Sequence, residues 1–169
     1  MKTFLDAGYY VGRALDYYVP LMDETWKVYA FEPNPNLELD ASRFPFEVEF
    51  IRKAIWIEDG EIEFVIGGRD DASYINSLQE GEPQTITVPC IDFSKFVSGL
   101  EGTIVCSMDA EGAEFPVLQK MLDDGTASKL ALLDIEFHHR ITKRDTQEAS
   151  NLRIALESVG VLVKTKLDI

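Results

Sequence analysis

Short apolar runs that alternate with helix-length amphipathic segments are what most constrain the fold of this 169-residue chain. Thr3 to Leu5, Lys27 to Phe31, Val48 to Trp56, Thr103 to Met108, Leu130 to Ile135 and Val161 to Lys164 read as strands. Several are continuously apolar rather than alternating, as strands covered on both faces are. Between them, Val11 to Tyr18, residues 35 to 43, Ala113 to Leu122 and Thr146 to Val159 read as helices. Pro35 suits a helix start, Pro116 is tolerated in a first turn, and Gly160 is a stop. This alternation predicts an α/β fold: a doubly wound, mostly parallel sheet with helices on both faces. Residues 1–169 are expected to form one compact domain.

Two segments interrupt the pattern. Asp59-Gly60 is a hairpin signal, with Glu61 to Ile66 as the returning strand. Residues 67–83 are polar, Gly-rich and aperiodic, the composition of a lid, a binding loop or a disordered stretch. Thr85 to Pro89 then alternates as a strand, and Asp92 can cap a short helix carrying Phe93, Phe96 and Val97.

The formal net charge of -14 argues against nucleic acid as a partner, because phosphate binding needs basic patches, and against an anionic membrane surface. No stretch approaches the roughly 20 apolar residues of a membrane span. The first residues lack the basic and apolar regions of a secretion signal, so a cytoplasmic location is expected. Cys90 and Cys106 lie in strand-like runs without metal or redox spacing and read as buried free thiols.

Ligands of such a sheet bind at the carboxyl ends of the strands, near the point where strand order reverses. Asp6-x-Gly8-x-x-x-Gly12 falls at the end of the first strand. Gly8 would permit a tight turn and close approach of backbone to ligand, and Gly12 would let the helix pack near the strand. The acid repels pyrophosphate and suits a ligand with an amino group. Glu32 ends the second strand, where a carboxylate can accept both hydroxyls of a ribose. Together these favour an adenosine ligand that is not rich in phosphate. Asp109, Glu111 and Glu114 crowd the end of a later strand, where neighbouring charges perturb one another. Glu111 and Glu114 could equally serve the dipole of the following helix.

These motifs, in this order, are similar to those of the FkbM family of S-adenosylmethionine-dependent methyltransferases. The similarity runs from Phe4 to about His138. It rests on Asp6-Ala7-Gly8 with Gly12, on Ala30-Phe31-Glu32-Pro33-Asn34-Pro35, and on Asp59-Gly60 after Lys53-Ala54. It rests also on Val88 to Phe93 and, most strongly, on Asp109-Ala110-Glu111-Gly112-Ala113-Glu114 followed by Val117-Leu118.

The resemblance implies a Rossmann-like class I methyltransferase fold, S-adenosylmethionine as cofactor, and methylation of a hydroxyl on a sugar or small natural product. By position it implies that Gly8 and Gly12 shape the loop under the methionine part, with Asp6 near its ammonium. Glu32, with Pro33 beside it, would hold the ribose; the backbone at Ala54 and Ile55 would lie by the adenine; Asp109 would face the methyl region. Glu111 and Glu114 would line or brace the substrate side. The base that a hydroxyl acceptor requires would come from Asp109, Glu111 or His138. Asp109, Glu136 and His138 are metal ligands by type, but their spacing defines no site and no metal is expected.

The chain departs from the family pattern in Gly8-Tyr9-Tyr10-Val11-Gly12, where small or amide residues are usual; Tyr10 is placed either to stack on the cofactor or to obstruct it. Helices that often precede the first strand are expected to be missing, and the sequence ends soon after the sixth strand. The last, antiparallel strand is therefore expected to be absent, leaving an edge that a homodimer would cover. Two rival readings stand beside the enzyme: a methyltransferase-like binding module without turnover, and a nicotinamide-dependent oxidoreductase, which the glycine spacing disfavours.

Overall fold

The structure, a computed structural model, describes residues 1–66, 74–75, 84–138 and 146–166. Six parallel strands form the central sheet: β1 (Lys2–Ala7), β2 (Trp26–Phe31), β3 (Val48–Ile51), β8 (Thr103–Met108), β9 (Leu130–Glu136) and β10 (Leu162–Lys166). Their spatial order is β10-β9-β8-β1-β2-β3, so strand order reverses between β1 and β8. No antiparallel strand joins this sheet among the described residues. Four further strands make a second sheet in the order β4-β7-β5-β6, from β4 (Ala54–Trp56), β5 (Gly60–Ile66), β6 (Tyr74–Ile75) and β7 (Gln84–Asp92).

Alternate residues of the central strands serve two separate cores. Leu5, Tyr29, Phe31, Cys106, Met108, Leu133 and Ile135 pack against α2 (Phe93–Ser98), α3 (Glu114–Asp123), α4 (Thr146–Ser158) and the second sheet. Phe4, Val28, Ala30 and Val48 face the other way, toward α1 (Arg13–Tyr18) and the pair Phe44 and Phe46. Coverage of both faces is why the central strands read as unbroken apolar runs. Asp92 caps α2 as expected, its carboxylate accepting the Lys95 N–H at 2.9 Å.

Three local expectations are corrected. Residues 35–43 form no helix. Asn34 and Asp40 instead accept the N–H groups of Asn36 and Ser42 at 3.0 and 2.8 Å, turns that compete with helical bonding. Arg52 then donates to the carbonyls of Asn34 and Leu37, each at 2.8 Å. The rings of Phe44 and Phe46, stacked with centroids 6.2 Å apart, supply the apolar cover that a helix would have given.

The long third strand divides. Val48–Ile51 stays in the central sheet and Ala54–Trp56 joins the second. Asp59-Gly60 does not close a hairpin between β4 and β5; both strands pair with β7, on opposite edges, at Cys90. Asp59 is drawn to the start of α2, accepting the Asp92 N–H at 3.3 Å and the Lys95 ammonium at 2.9 Å. Most of the proposed loop at 67–83 lies outside the described residues, apart from the Tyr74–Ile75 strand.

Candidate functional site

The reversal of strand order places two loops side by side at the carboxyl ends of β1 and β8. Gly8 and Tyr9 donate their N–H groups to the Phe31 carbonyl at 3.2 and 2.9 Å, and Asp109 donates to the Ala7 carbonyl at 2.9 Å. Gly8 has φ 104, and a Cβ there would stand 1.9 Å from the Asp109 carbonyl oxygen. The close approach expected at Gly8 is thus made by the chain's own β8 loop. Gly12, with φ 80, immediately precedes α1, which starts at Arg13, two residues later than the sequence suggested, and its missing Cβ leaves room for Arg43 and the Tyr9 ring.

Glu32 is 4% exposed at the end of β2. Its Oε2 accepts the Tyr10 N–H and its Oε1 the Asn34 N–H, both at 2.7 Å. Burial raises its pKa, against those two bonds and the Arg52 charge. Tyr10 is 37% exposed and sits at φ 47, so its backbone is held by Glu32 while its ring faces outward. Pro33 is half-buried next to this carboxylate. Asp6 is 1% exposed, in register with Ala30 and Ser107 on neighbouring strands. Ala54 and Ile55 are buried in β4, in register with Cys90 and Ile91 of β7.

The carboxyl ends of β8 and β9 carry a dense group of charges. Glu114, the first residue of α3, is fully buried. Its carboxylate accepts the N–H groups of Ala110 and Gly112, both at 2.8 Å, and shapes the loop between β8 and α3. It also holds His138 Nδ1 at 2.9 Å. Because an ionised carboxylate only accepts, Nδ1 carries the proton and Nε2 turns toward the loop. There Nε2 lies 3.4 Å from Glu111, 3.5 Å from Asp109 and 3.9 Å from Glu136.

Burial disfavours the imidazolium, but the Glu114 hydrogen bond and the charges of Glu114, Glu111 and Asp109 outweigh it and lift the His138 pKa to about 9. Burial raises Glu111 to about 7, opposed by His138 and reinforced by Asp109, Glu114 and Glu136. Glu111 also has φ 48. It and Tyr10 are the described non-glycine residues at positive φ, and both sit in these facing loops, where backbone strain commonly accompanies function.

Asp109, Glu111 and His138, weighed separately as bases from the sequence, therefore converge, with one ligand atom from each all within 4.8 Å of one another. Glu32 and Tyr10 form a second, linked station across the β1 loop. The family profile for the methyltransferase FkbM domain matches residues 6–162, the span that carries every one of these groups. This chain belongs to the FkbM methyltransferase family. No curated protein and no solved structure matches it.

In this FkbM domain the strand ends were legible as candidate positions, because the sheet rule selects them. Glu114 as the organising carboxylate was less so. Its partners are the Ala110 and Gly112 amides and a histidine one strand away, and only its place at the head of α3 hinted at a brace. No described helix of the FkbM domain is long and apolar enough to cross a membrane.

Proposed function

We propose that this FkbM-family methyltransferase uses S-adenosylmethionine to methylate a hydroxyl on a sugar or small natural product. The observation that carries the reading is the convergence of Asp109, Glu111 and His138 at the switch point of the sheet. The residues present fit the cofactor chemically. Each Glu32 oxygen accepts one backbone N–H, which leaves acceptor capacity for a ribose diol. Asp109, Glu111 and Glu136 offer negative charge to a molecule that carries an ammonium and a sulfonium. Bound there, the cofactor supplies an electrophilic methyl group.

The chain's own work is positioning and proton removal. Glu32 holds the ribose and Asp109 faces the methyl region, which keeps acceptor and methyl in line. A general base must begin deprotonated. His138, held as a cation by Glu114 up to about pH 9, does not meet that condition at neutral pH. Glu111, with its pKa near 7, does for a large share of molecules. Glu111 is therefore favoured over His138 as the base, with His138 its charged neighbour. Such a base contributes roughly 10²–10⁴ in rate.

Calorimetric titration with S-adenosylmethionine, S-adenosylhomocysteine and NAD tests the reading. Saturable binding of the first two, and none of NAD, is the expected result, followed by an acceptor screen in which Glu111→Gln loses turnover. Binding of NAD alone would move the chain to oxidoreductase chemistry. Cofactor binding with turnover indifferent to Glu111→Gln would remove Glu111 from the reaction.

A further inference from the structure

Four carboxylates, those of Asp109, Glu111, Glu114 and Glu136, surround one imidazole at the ends of β8 and β9. The arrangement is directional. Glu114, fully buried, fixes Nδ1, and the opposite nitrogen faces the two loop carboxylates. A carboxylate that holds one histidine nitrogen so that the other can bind a cation is a recurrent device of metal centres.

The distances suit a cation. With metal–ligand bonds of ~2.0–2.2 Å, adjacent ligands stand about 3.4 Å apart in a tetrahedral site and about 3.0 Å in an octahedral one. The separations from Nε2 to Asp109 Oδ1 and Glu111 Oε2 are 3.5 and 3.4 Å. Both are longer than an ordinary N–H···O hydrogen bond. The Asp109–Glu111 edge is no longer than 4.8 Å and closes by side-chain movement of the two half-exposed acids.

From this geometry we infer that Asp109, Glu111 and His138 bind a divalent transition-metal ion, with Glu114 as the positioning residue; the ion displaces the Nε2 proton of His138 to solvent while Nδ1–H stays on Glu114. One nitrogen and two oxygens favour ions such as Mn²⁺, Fe²⁺ or Zn²⁺ over Mg²⁺ and Ca²⁺, which prefer all-oxygen sites. Three protein ligands leave positions open, and Glu136 stands beside them. The cation site rests on side-chain geometry alone. Its use rests on the methyl-transfer reading: an acceptor hydroxyl would be oriented and made more acidic at an open position, with Glu111 then a ligand rather than a free base.

Electron paramagnetic resonance titration of the full chain with Mn²⁺ tests the inference, with excess Mg²⁺ as competitor. The expected result is one bound Mn²⁺ per chain that Mg²⁺ fails to displace. His138→Ala should abolish it, Glu111→Gln should weaken it strongly, and Glu114→Gln should weaken it by roughly 10–100-fold. Circular dichroism checks that each variant is folded, and Glu111→Gln, at a half-exposed position, carries the test if His138→Ala is not. No binding to the wild type overturns the inference. So does Mn²⁺ binding that survives both His138→Ala and Glu111→Gln, or that Mg²⁺ displaces readily. S-adenosylmethionine affinity is measured on the same protein without metal. Metal binding without cofactor binding would sink the methyl-transfer reading and leave the cation site standing; the reverse would sink only the cation site.

Discussion

Glu114 Oε1 lies 2.9 Å from His138 Nδ1, and neither group is free to move. The carboxylate is fully buried and also holds the Ala110 and Gly112 amides. One side chain therefore ties α3, the loop after β8 and the end of β9 together. Glu114→Ala leaves two amides and an imidazolium without their acceptor. The expected cost is about 3–5 kcal/mol in urea unfolding, the range for breaking one side of a buried ion pair. In Glu114→Gln the His138 pKa, followed by NMR, should fall from about 9. An unchanged pKa would mean that the raised value comes from Asp109 and Glu111 instead.

The same groups set the pH dependence of stability. His138 rises from 6.5 to about 9 on folding, so the folded state binds its proton more tightly. That contribution is complete below about pH 6.5 and is lost as pH rises through 9. Glu111 rises from 4.5 to about 7, so its ionisation opposes folding, and stability falls across that interval as well. Both slopes have the same sign. The thermal midpoint should decline from pH 5 to pH 9.5, with the alkaline half of the decline flattened in His138→Gln. A midpoint that rises across the alkaline half would contradict the assigned charge state.

Gly8 meets a steric limit that its sequence motif does not advertise. Its φ is 104 and the position of a Cβ is occupied by the Asp109 carbonyl oxygen at 1.9 Å. Gly8→Ala must push the β1 and β8 loops apart, at about 2–4 kcal/mol by the usual cost of a strained, overpacked position. Gly60→Ala is the control, since nothing stands within 4 Å of its Cβ position and no positive φ applies there. It should shift stability by no more than about 0.5 kcal/mol. Equal effects of the two substitutions would refute the crossing as the reason for Gly8.

What the sequence revealed follows from how far each determinant reaches. β1, β2, β8 and β9 were legible because parallel strands buried on both faces leave a local signature, and α2 because Asp92 caps it three residues from its partner amide. Their strand-end acids were then legible as site candidates by position alone. The expected helix at 35–43 failed because Asn34 and Asp40 bond to amides two residues on, and Arg52 caps the resulting turn from another segment. The hairpin at Asp59-Gly60 failed because β4 and β5 each prefer an edge of β7, a choice made more than 20 residues later in the chain. The convergence of Glu111 with His138 depends likewise on the pairing of β8 with β9, which no local pattern encodes.

Glu32 links the cofactor reading to the loop that would have to admit the cofactor. Its two oxygens are engaged by Tyr10 and Asn34 at 2.7 Å, and it is 4% exposed. A ribose can share this carboxylate only if the Tyr10 loop, already at positive φ, shifts to uncover it. Two effects then separate experimentally. Glu32→Ala should lower S-adenosylmethionine affinity by roughly tenfold to a hundredfold, corresponding to a paired charged hydrogen bond of about 1.5–3 kcal/mol. Tyr10→Gly relieves the left-handed strain and removes the exposed ring while keeping the N–H that Glu32 accepts. It should speed cofactor association, seen in stopped-flow fluorescence, if the ring obstructs the entrance, and should weaken equilibrium binding if the ring stacks on the ligand. Unchanged affinity in Glu32→Ala would remove the ribose from this strand end and leave Glu32 as a purely structural tie between the loops after β1 and β2.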